Sequence, residues 1–244
     1  MTIPTLLGTP PQQNIEKLVK GLKRLEISAI LMTVVTALMI IVNYIISLIL
    51  TTSSINVFQL LEEMVGREGF NLQSILLFIR ELISSLFSPL VIAITLVITV
   101  VLIIAVYGYL IPSFTSIKDY NTREFSISTT LVKVGYIPSI PLGLTGIVVI
   151  VIGGLSMRLL ILVLGGFIIG IAGILSLIGE IGLWIGLFKL EKTTDERIFI
   201  VAAIILILGR FISNYLLPIG WILVFIASRS ALNKIPLQQP PQPL

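Results

Sequence analysis

Residues 159–188 read LLILVLGGFIIGIAGILSLIGEIGLWIGLF, a run of thirty residues with seven glycines and a single ionisable side chain, Glu180. A transmembrane helix needs roughly 20 apolar residues, so this run is long enough to span a bilayer. At about 100° per residue the glycines divide between two faces: Gly166, Gly170 and Gly173 on one, and Gly179, Gly182 and Gly186 on the other. Glu180 lies at the foot of the first face. The run therefore predicts a helix that its neighbours approach closely from two sides.

The composition indicates that the whole chain belongs in a membrane. It is 56% hydrophobic and 11% charged, with a mean hydropathy of +1.11, whereas a soluble domain is about 25% charged. The chain contains neither His nor Cys, which removes the commonest general base and metal ligand and excludes disulfide and thiol chemistry. We therefore expect an all-α fold, a polytopic membrane helix bundle.

Uncharged apolar runs along the chain predict about six transmembrane helices. They cover residues 27–50, 90–111, 137–154 and 159–188, followed by two short helices within 198–228. Three residues interrupt this last run, namely Arg210, Asn214 and Pro218. Because a proline inside a helix removes a hydrogen bond, we expect a hairpin that turns near residues 213–218. Between the runs we expect a polar loop over residues 112–136 and a short charged loop over 189–197.

Two further segments are amphipathic. Residues 14–26 combine a helical apolar stripe with four basic residues, which indicates either a helix on an anionic membrane surface or the basic flank of the first span. Residues 51–88 carry two apolar stripes, which predict two amphipathic surface helices or, alternatively, a groove-binding site for a partner.

The chain divides into three parts by composition. We expect a disordered tail over residues 1–13, a helical membrane domain over residues 14–233 and a disordered Pro/Gln-rich tail over residues 234–244. The second tail contains a PxxP pattern typical of polyproline II segments.

The distribution of basic residues bears on the number of spans. With six spans, twelve of the sixteen Lys and Arg residues fall on one side, three fall on the other, and Arg210 lies within the membrane. With five spans the split is ten to five. Cytoplasmic loops are enriched in Lys and Arg. The bias therefore favours six spans in the cell membrane, with both termini cytoplasmic.

Glu180 and Arg210 are the two charges that lie inside apolar runs. An ionisable group there costs about 3 kcal/mol or more on insertion scales, so it normally faces a partner or water. Glu180 lies about 12 Å and Arg210 about 18 Å from the predicted cytoplasmic ends of antiparallel helices, at 1.5 Å per residue. We therefore predict an intramembrane ion pair. Its role is either to lock the two helices together or to line a transport path.

The glycines indicate close helix packing. Twelve of the nineteen glycines lie between Gly135 and Gly186. Within the fourth span we assign a packing role to Gly166, Gly170, Gly173, Gly182 and Gly186. Two pairs among them have the GxxxG spacing that lets helix backbones approach in lipid.

Sequence patterns typical of enzymes are missing. The stretch 154–158 begins like a nucleophile elbow but lacks its closing glycine, and no His is present to activate Ser156. The chain contains no P-loop, GxGxxG motif or intramembrane acidic pair. We therefore expect a non-enzyme without cofactors or a metal site.

Three short stretches carry a resemblance to a known family. Residues 179–183 (GEIGL), 186–190 (GLFKL) and 218–223 (PIGWIL) resemble the C-terminal half of an archaeal family of multi-pass membrane proteins described only as a domain of unknown function. Residues 21–25 (GLKRL) and the Pro/Gln-rich tail are similar to it as well. The resemblance implies a multi-pass helical fold and assigns no activity or binding residue.

These observations leave two functions. The first is a non-catalytic accessory or scaffold protein that uses its glycine faces and outer helices to bind a membrane-protein partner or further copies of itself. The alternative is a small transporter or channel for an ion or small solute, with Glu180 and Arg210 lining the path. Both functions require the lipid bilayer, and neither requires nucleic acid. A scaffold needs a dry core, whereas a transporter needs a polar cavity near mid-membrane.

Overall fold

The computed structural model describes residues 11–52, 89–156 and 158–235, and every regular element in these ranges is a helix. The expected all-α helical bundle is confirmed. The helices are α1 (Pro11–Thr52), α2 (Pro89–Ile103), α3 (Ile111–Tyr120), α4 (Thr122–Leu155), α5 (Leu159–Thr194), α6 (Ile198–Phe211) and α7 (Leu217–Lys234). A π-helix, Ile104–Leu110, joins α2 to α3, and a 3-10 turn, Asn214–Leu216, precedes α7.

Within the described ranges, five helical segments are long and apolar enough to cross a membrane, which fits an integral membrane protein. They are Ile15–Leu48, Val91–Tyr120, Thr122–Leu155, Leu159–Thr194 and Asn214–Lys234. The fifth of the six predicted spans corresponds to α6, which has only 14 residues and is therefore about 21 Å long. The predicted hairpin is present: α6 ends at Phe211, and Pro218 lies in the first turn of α7, where its missing N–H costs nothing.

The prediction of a polar loop over residues 112–136 is wrong. These residues form α3 and the first half of α4, which meet at Asn121, where the side chain caps α4 by accepting a hydrogen bond from the Glu124 N–H at 3.2 Å. The segment folds because Phe114, Ile117 and Phe125 are fully buried. Its polar residues are frequent enough to hide this apolar stripe in a hydropathy average. The charged loop is likewise shorter than residues 189–197, because α5 continues to Thr194.

The basic segment over residues 14–26 continues the first span as part of α1. Leu18, Leu22 and Leu25 are buried in the core. The Ser113 hydroxyl donates to the Gly21 carbonyl at 2.9 Å, where a Cβ would meet Ile117. The segment therefore packs inside the bundle and does not lie along a membrane surface.

The predicted tails are shorter where the structure describes them, and the predicted surface helices lie almost entirely outside the described residues. The helix α1 begins at Pro11, so residues 11–13 do not belong to a disordered tail. The second tail starts later than predicted, since Lys234 still belongs to α7. The expected amphipathic helices over residues 51–88 and the remainder of both tails lie outside the described residues, apart from the end of α1 at Thr52.

The most extensive helix contact joins α4 and α5, and glycines make it possible. A Cβ placed on Gly135 would lie 2.1 Å from the backbone nitrogen of Gly179, and one on Gly153 would lie 2.7 Å from the nitrogen of Leu162. Gly146 and Gly165 are equally close to the facing helix. Because the two backbones touch along most of their length, α4 and α5 form an antiparallel pair, against which α3 and α6 pack.

One proline inside α4 has its lost hydrogen bond replaced by a donor from a neighbouring helix. Pro138 and Pro141 lie in the middle of α4. Pro141 has no N–H to donate to the Ile137 carbonyl one turn earlier. The Tyr107 hydroxyl on the π-helix donates to that carbonyl instead, at 2.5 Å. The π-helix itself ends just before Pro112, and its wider turn accommodates that proline.

Candidate functional site

A cavity of about 210 Å³ lies between the helices at the level of Glu180. Its lining residues come from α1, α2, the π-helix, α4, α5, α6 and α7. They lie near the middle of the apolar runs, for example Met39 on α1 and Leu102 on α2. Because each of these elements contributes at most a few residues, no single stretch of sequence predicts this site.

The structure brings Glu180 and Arg210 together at the cavity wall. Arg210 Nε lies 3.2 Å from Glu180 Oε2, and the side chains are 38% and 19% exposed respectively. The Oε2 atom itself is buried and has no hydrogen-bond donor, so the contact with Nε is close enough for an ion pair but is not aligned as a hydrogen bond. Ser176 is a further hydrogen-bond partner of this carboxyl, and the exposed part of the Glu180 side chain lines the cavity.

Four hydroxyl-bearing residues complete the polar part of the lining: Thr36, Tyr136, Ser139 and Ser176. Ser139 donates to the Tyr136 carbonyl at 3.2 Å, and Thr36 donates to the Met32 carbonyl at 2.8 Å. A hydroxyl that donates within its own helix still has lone pairs with which to accept. The cavity thus presents acceptors from three helices around one ion pair.

Most of the cavity wall is apolar. It includes Met32, Val35, Met39, Leu102, Val106, Ile140, Leu183, Leu206 and Leu217. Trp184 and Trp221 also line it and are the two tryptophans of the chain. Trp184 packs against Phe211 with ring centroids 6.1 Å apart, which places the end of α6 beside α5. An apolar wall with a few convergent polar groups is the usual character of a small-molecule site.

The hairpin of α6 and α7 closes one side of the cavity. Close contacts of Gly209 with Leu217 and of Gly220 with Leu206 bring the two helices together. Arg210 is the penultimate residue of α6, so the helix stops at the level of the ion pair. Beyond it, Ile212 and Tyr215 at the hairpin tip are 73% and 69% exposed.

The glycines of α5 separate into two groups. Gly182 and Gly186 pack closely, since a Cβ on Gly182 would lie 2.7 Å from the Val132 nitrogen and one on Gly186 would lie 2.2 Å from the Phe114 ring. Gly166, Gly170 and Gly173 have no atom of the described residues within 4 Å of the Cβ position. Their predicted packing role is therefore not met inside the described bundle. They form an open stretch of α5 above Glu180, which we call the open glycine face.

A second polar cluster holds the base of the hairpin. Glu196, between α5 and α6, is 6% exposed, forms an ion pair with Lys234 at 2.8 Å and accepts a hydrogen bond from Ser230. Burial acts to raise the pKa of Glu196, but the hydrogen bonds from Lys234, Ser230 and the Ile198 N–H outweigh it, so this pKa lies below its usual range. The sequence pattern did not single out Glu196, because its partners lie more than thirty residues away.

Comparison with known proteins adds no further constraint to these observations. No protein-family model matches the chain, and neither the curated proteins nor the solved structures contain a match. The function must therefore be inferred from the geometry of the site.

Proposed function

We propose that this membrane protein binds a small solute in the cavity at Glu180 and Arg210 and carries it across the bilayer. The observation that carries this function is the cavity itself, about 210 Å³ in volume and lined by an ion pair and hydroxyl groups from several helices. An ion pair that only locked two helices together would not require open space beside it. A transport role requires such space.

The interrupted hairpin supports the same proposal. Backbone that is not helical is tolerated at membrane depth where it is buried in protein or lines a water-filled cavity. The break between α6 and α7 follows directly after Arg210, whose side chain is 38% exposed. Water at the hairpin tip would solvate both the guanidinium and the free backbone groups.

The orientation of the protein in the membrane is also part of the proposal. The end of the bundle that holds the start of α1 and the end of α7 carries contacts of Arg24, Lys189 and Lys234. Because this end is basic, we place it, with both termini, on the cytoplasmic side of the cell membrane. The proposed role is non-catalytic.

Water access to the cavity tests the function. The chain has no Cys, so single Cys variants report on one position each. Ser176→Cys and Ser139→Cys place a thiol in the cavity, and we expect both to react with a small charged methanethiosulfonate in proteoliposomes. Ala172→Cys, which is buried on α5 away from the cavity, is the matched control and should not react. Unreactive thiols at both serines would indicate a dry core and would refute the transport function.

A specific observation favours a second candidate, the scaffold function. The open glycine face has no neighbour among the described residues, and Phe167 and Ile174 beside it are 66% and 65% exposed. Small residues of this kind let a helix of another membrane protein, or of a second copy, approach closely in lipid. Gly170→Cys would form crosslinked dimers in native membranes if a second copy docks there. The resemblance to the archaeal family remains a prediction alongside both functions.

A further inference from the structure

We propose that the solute bound in the cavity is a small zwitterion with an apolar side group, such as an apolar α-amino acid. This inference rests on the proposed function and specifies its substrate class. It follows from three properties of the cavity: its net charge, the hydrogen-bonding groups at the ion pair and the apolar wall.

The net charge of the cavity favours a solute without net charge. Glu180 and Arg210 are the charged groups among the lining residues, and they compensate each other. The remaining titratable group is the phenol of Tyr136, which is neutral at physiological pH. The lining residues contributed by α1, α2, α7 and the π-helix carry no charge. A cation or an anion would add an uncompensated charge to a low-dielectric site, whereas a zwitterion would not.

The ion pair offers both halves of a zwitterion a partner. Glu180 lines the cavity with a side chain that is 19% exposed, so its carboxylate can accept from an ammonium group there. The contact of Arg210 with Glu180 is made through Nε, and the Nη groups carry the other N–H donors of the guanidinium, whose planar fork matches a carboxylate. An ammonium and a carboxylate on one carbon atom would therefore insert beside the pair without separating it.

The rest of the cavity accommodates an apolar group of limited size. The apolar part of the lining includes Met32, Met39, Leu206 and Leu217, and methionine adapts readily to the shape of its neighbour. An apolar cavity of about 150 Å³ holds benzene, so a volume of about 210 Å³ admits a solute somewhat larger than benzene. The side group that fits is a branched aliphatic chain or a thioether.

The two tryptophans of the chain provide a direct test, because both line the cavity. We would titrate the full-length protein in nanodiscs with leucine and follow tryptophan emission. Matched probes are 3-methylbutylamine, which lacks the carboxylate, and 4-methylpentanoate, which lacks the ammonium group. We expect a saturable emission change with leucine and an affinity weaker by about tenfold or more for either charged analogue.

Variants separate this inference from the function on which it rests. Glu180→Gln combined with Arg210→Gln removes both charges without leaving one unpaired, so the fold should be retained. In this variant the preference for leucine over the two analogues should disappear. Glu191→Gln, on the same helix but outside the cavity, should bind as the unmodified chain does.

The outcomes are distinct. If the amine or the anion binds as tightly as leucine, or if the double variant keeps the preference, the zwitterion inference is overturned while the cavity remains a solute site. If leucine does not change the emission, the zwitterion inference is likewise overturned, and if Ser176→Cys and Ser139→Cys are also unreactive, the proposed function itself fails.

Discussion

At the scale of single residues, the contact between α4 and α5 depends on the absence of side chains. A Cβ on Gly135 would lie within 2.1 Å of the α5 backbone, which cannot yield as a flexible side chain does. We therefore predict that Gly135→Ala lowers the free energy of unfolding by about 1–3 kcal/mol, the usual cost of overpacking a core. Thermal unfolding in detergent, followed by circular dichroism, measures the effect.

Gly170→Ala is the matched control for this prediction. The substituted Cβ would meet no described atom, and alanine is a better helix former than glycine by up to about 1 kcal/mol. The variant should be as stable as the unmodified chain, or slightly more stable. A loss of stability at Gly170 equal to that at Gly135 would contradict the arrangement of α5, since it would mean that the open glycine face is covered.

The contacts of Glu196 predict that the free energy of unfolding depends on pH. Its pKa in the folded protein is lowered, so its contribution is present above the unfolded pKa, about 4.3, and is lost as the pH falls through the folded value. Glu196→Gln should lower the free energy of unfolding by about 1 kcal/mol at neutral pH and by less below pH ~4. The Lys234 side chain is 44% exposed, which keeps the effect small.

Unfolding measured between about pH 3 and pH 7 tests this dependence. Glu191→Gln serves as the control, because it removes a carboxylate near the end of α5, five residues before Glu196, without touching Ser230 or Lys234. If the two variants lose stability equally at every pH, the cluster does not hold the hairpin.

An ion pair can be predicted from the sequence when the depth of each charge in the membrane can be counted along its helix. Glu180 and Arg210 stand out because few charges lie in the apolar runs, and their depths, counted from the helix ends, are close enough for an arginine side chain to bridge. Glu196 could not be found in this way. It is one of several charges in a short charged stretch, and its partners on α7 come from a distant part of the chain.

At the scale of elements, the contact between the π-helix and α4 suggests a double-mutant cycle. Tyr107 supplies the hydrogen bond to Ile137 that Pro141 withholds. Tyr107→Phe should therefore cost about 1–3 kcal/mol, because it leaves a carbonyl without a donor. In Pro141→Ala an alanine N–H can donate to that carbonyl, so adding Tyr107→Phe to it should cost much less.

Unfolding of the unmodified chain, the two single variants and the double variant gives a coupling free energy. This coupling tests whether Tyr107 replaces the hydrogen bond that Pro141 lacks. A coupling of about 1 kcal/mol or more is expected for groups that share one acceptor. Tyr109→Phe, two residues along the π-helix, is a control for the general effect of removing a phenol there. A cycle without coupling would show that the Ile137 carbonyl does not depend on Tyr107.

At the scale of elements, the hydropathy average gave a wrong prediction for the segment after residue 112. The helices after residue 112 contain Lys118, Arg123 and Lys133, so an averaged profile predicts a loop. What stabilises them is a narrow buried stripe and a cap at Asn121. Conversely, the hairpin of α6 and α7 was predictable, because a proline and two polar residues mark its turn directly.

At the scale of the whole molecule, the cavity could not be predicted from the sequence. Its lining residues are mostly ordinary apolar side chains, and their convergence depends on how α1, α4, α5 and the hairpin cross. Sequence reasoning predicted two of its polar groups and the discontinuous helix beside it. It did not predict the open space between them, on which the choice between scaffold and transporter depends.

The depth of the hairpin tip in the membrane determines whether Ile212 meets water or lipid. Because α6 is about 21 Å long and the hydrocarbon core is about 30 Å thick, the tip at Ile212 reaches outer water only if water or a thinned bilayer extends down to it. Transport requires that extension. We therefore expect an impermeant maleimide, added to intact cells, to label Ile212→Cys.

Two further Cys variants at opposite ends of α4 calibrate this measurement. Ser156→Cys should be labelled in intact cells, and Thr122→Cys only after lysis, because the basic end is placed in the cytoplasm. If the labelling of these two is reversed, the orientation is wrong. If Ile212→Cys reacts only in detergent while both controls behave as expected, the hairpin tip lies in lipid, and solute would have no aqueous route from that side to Glu180 and Arg210.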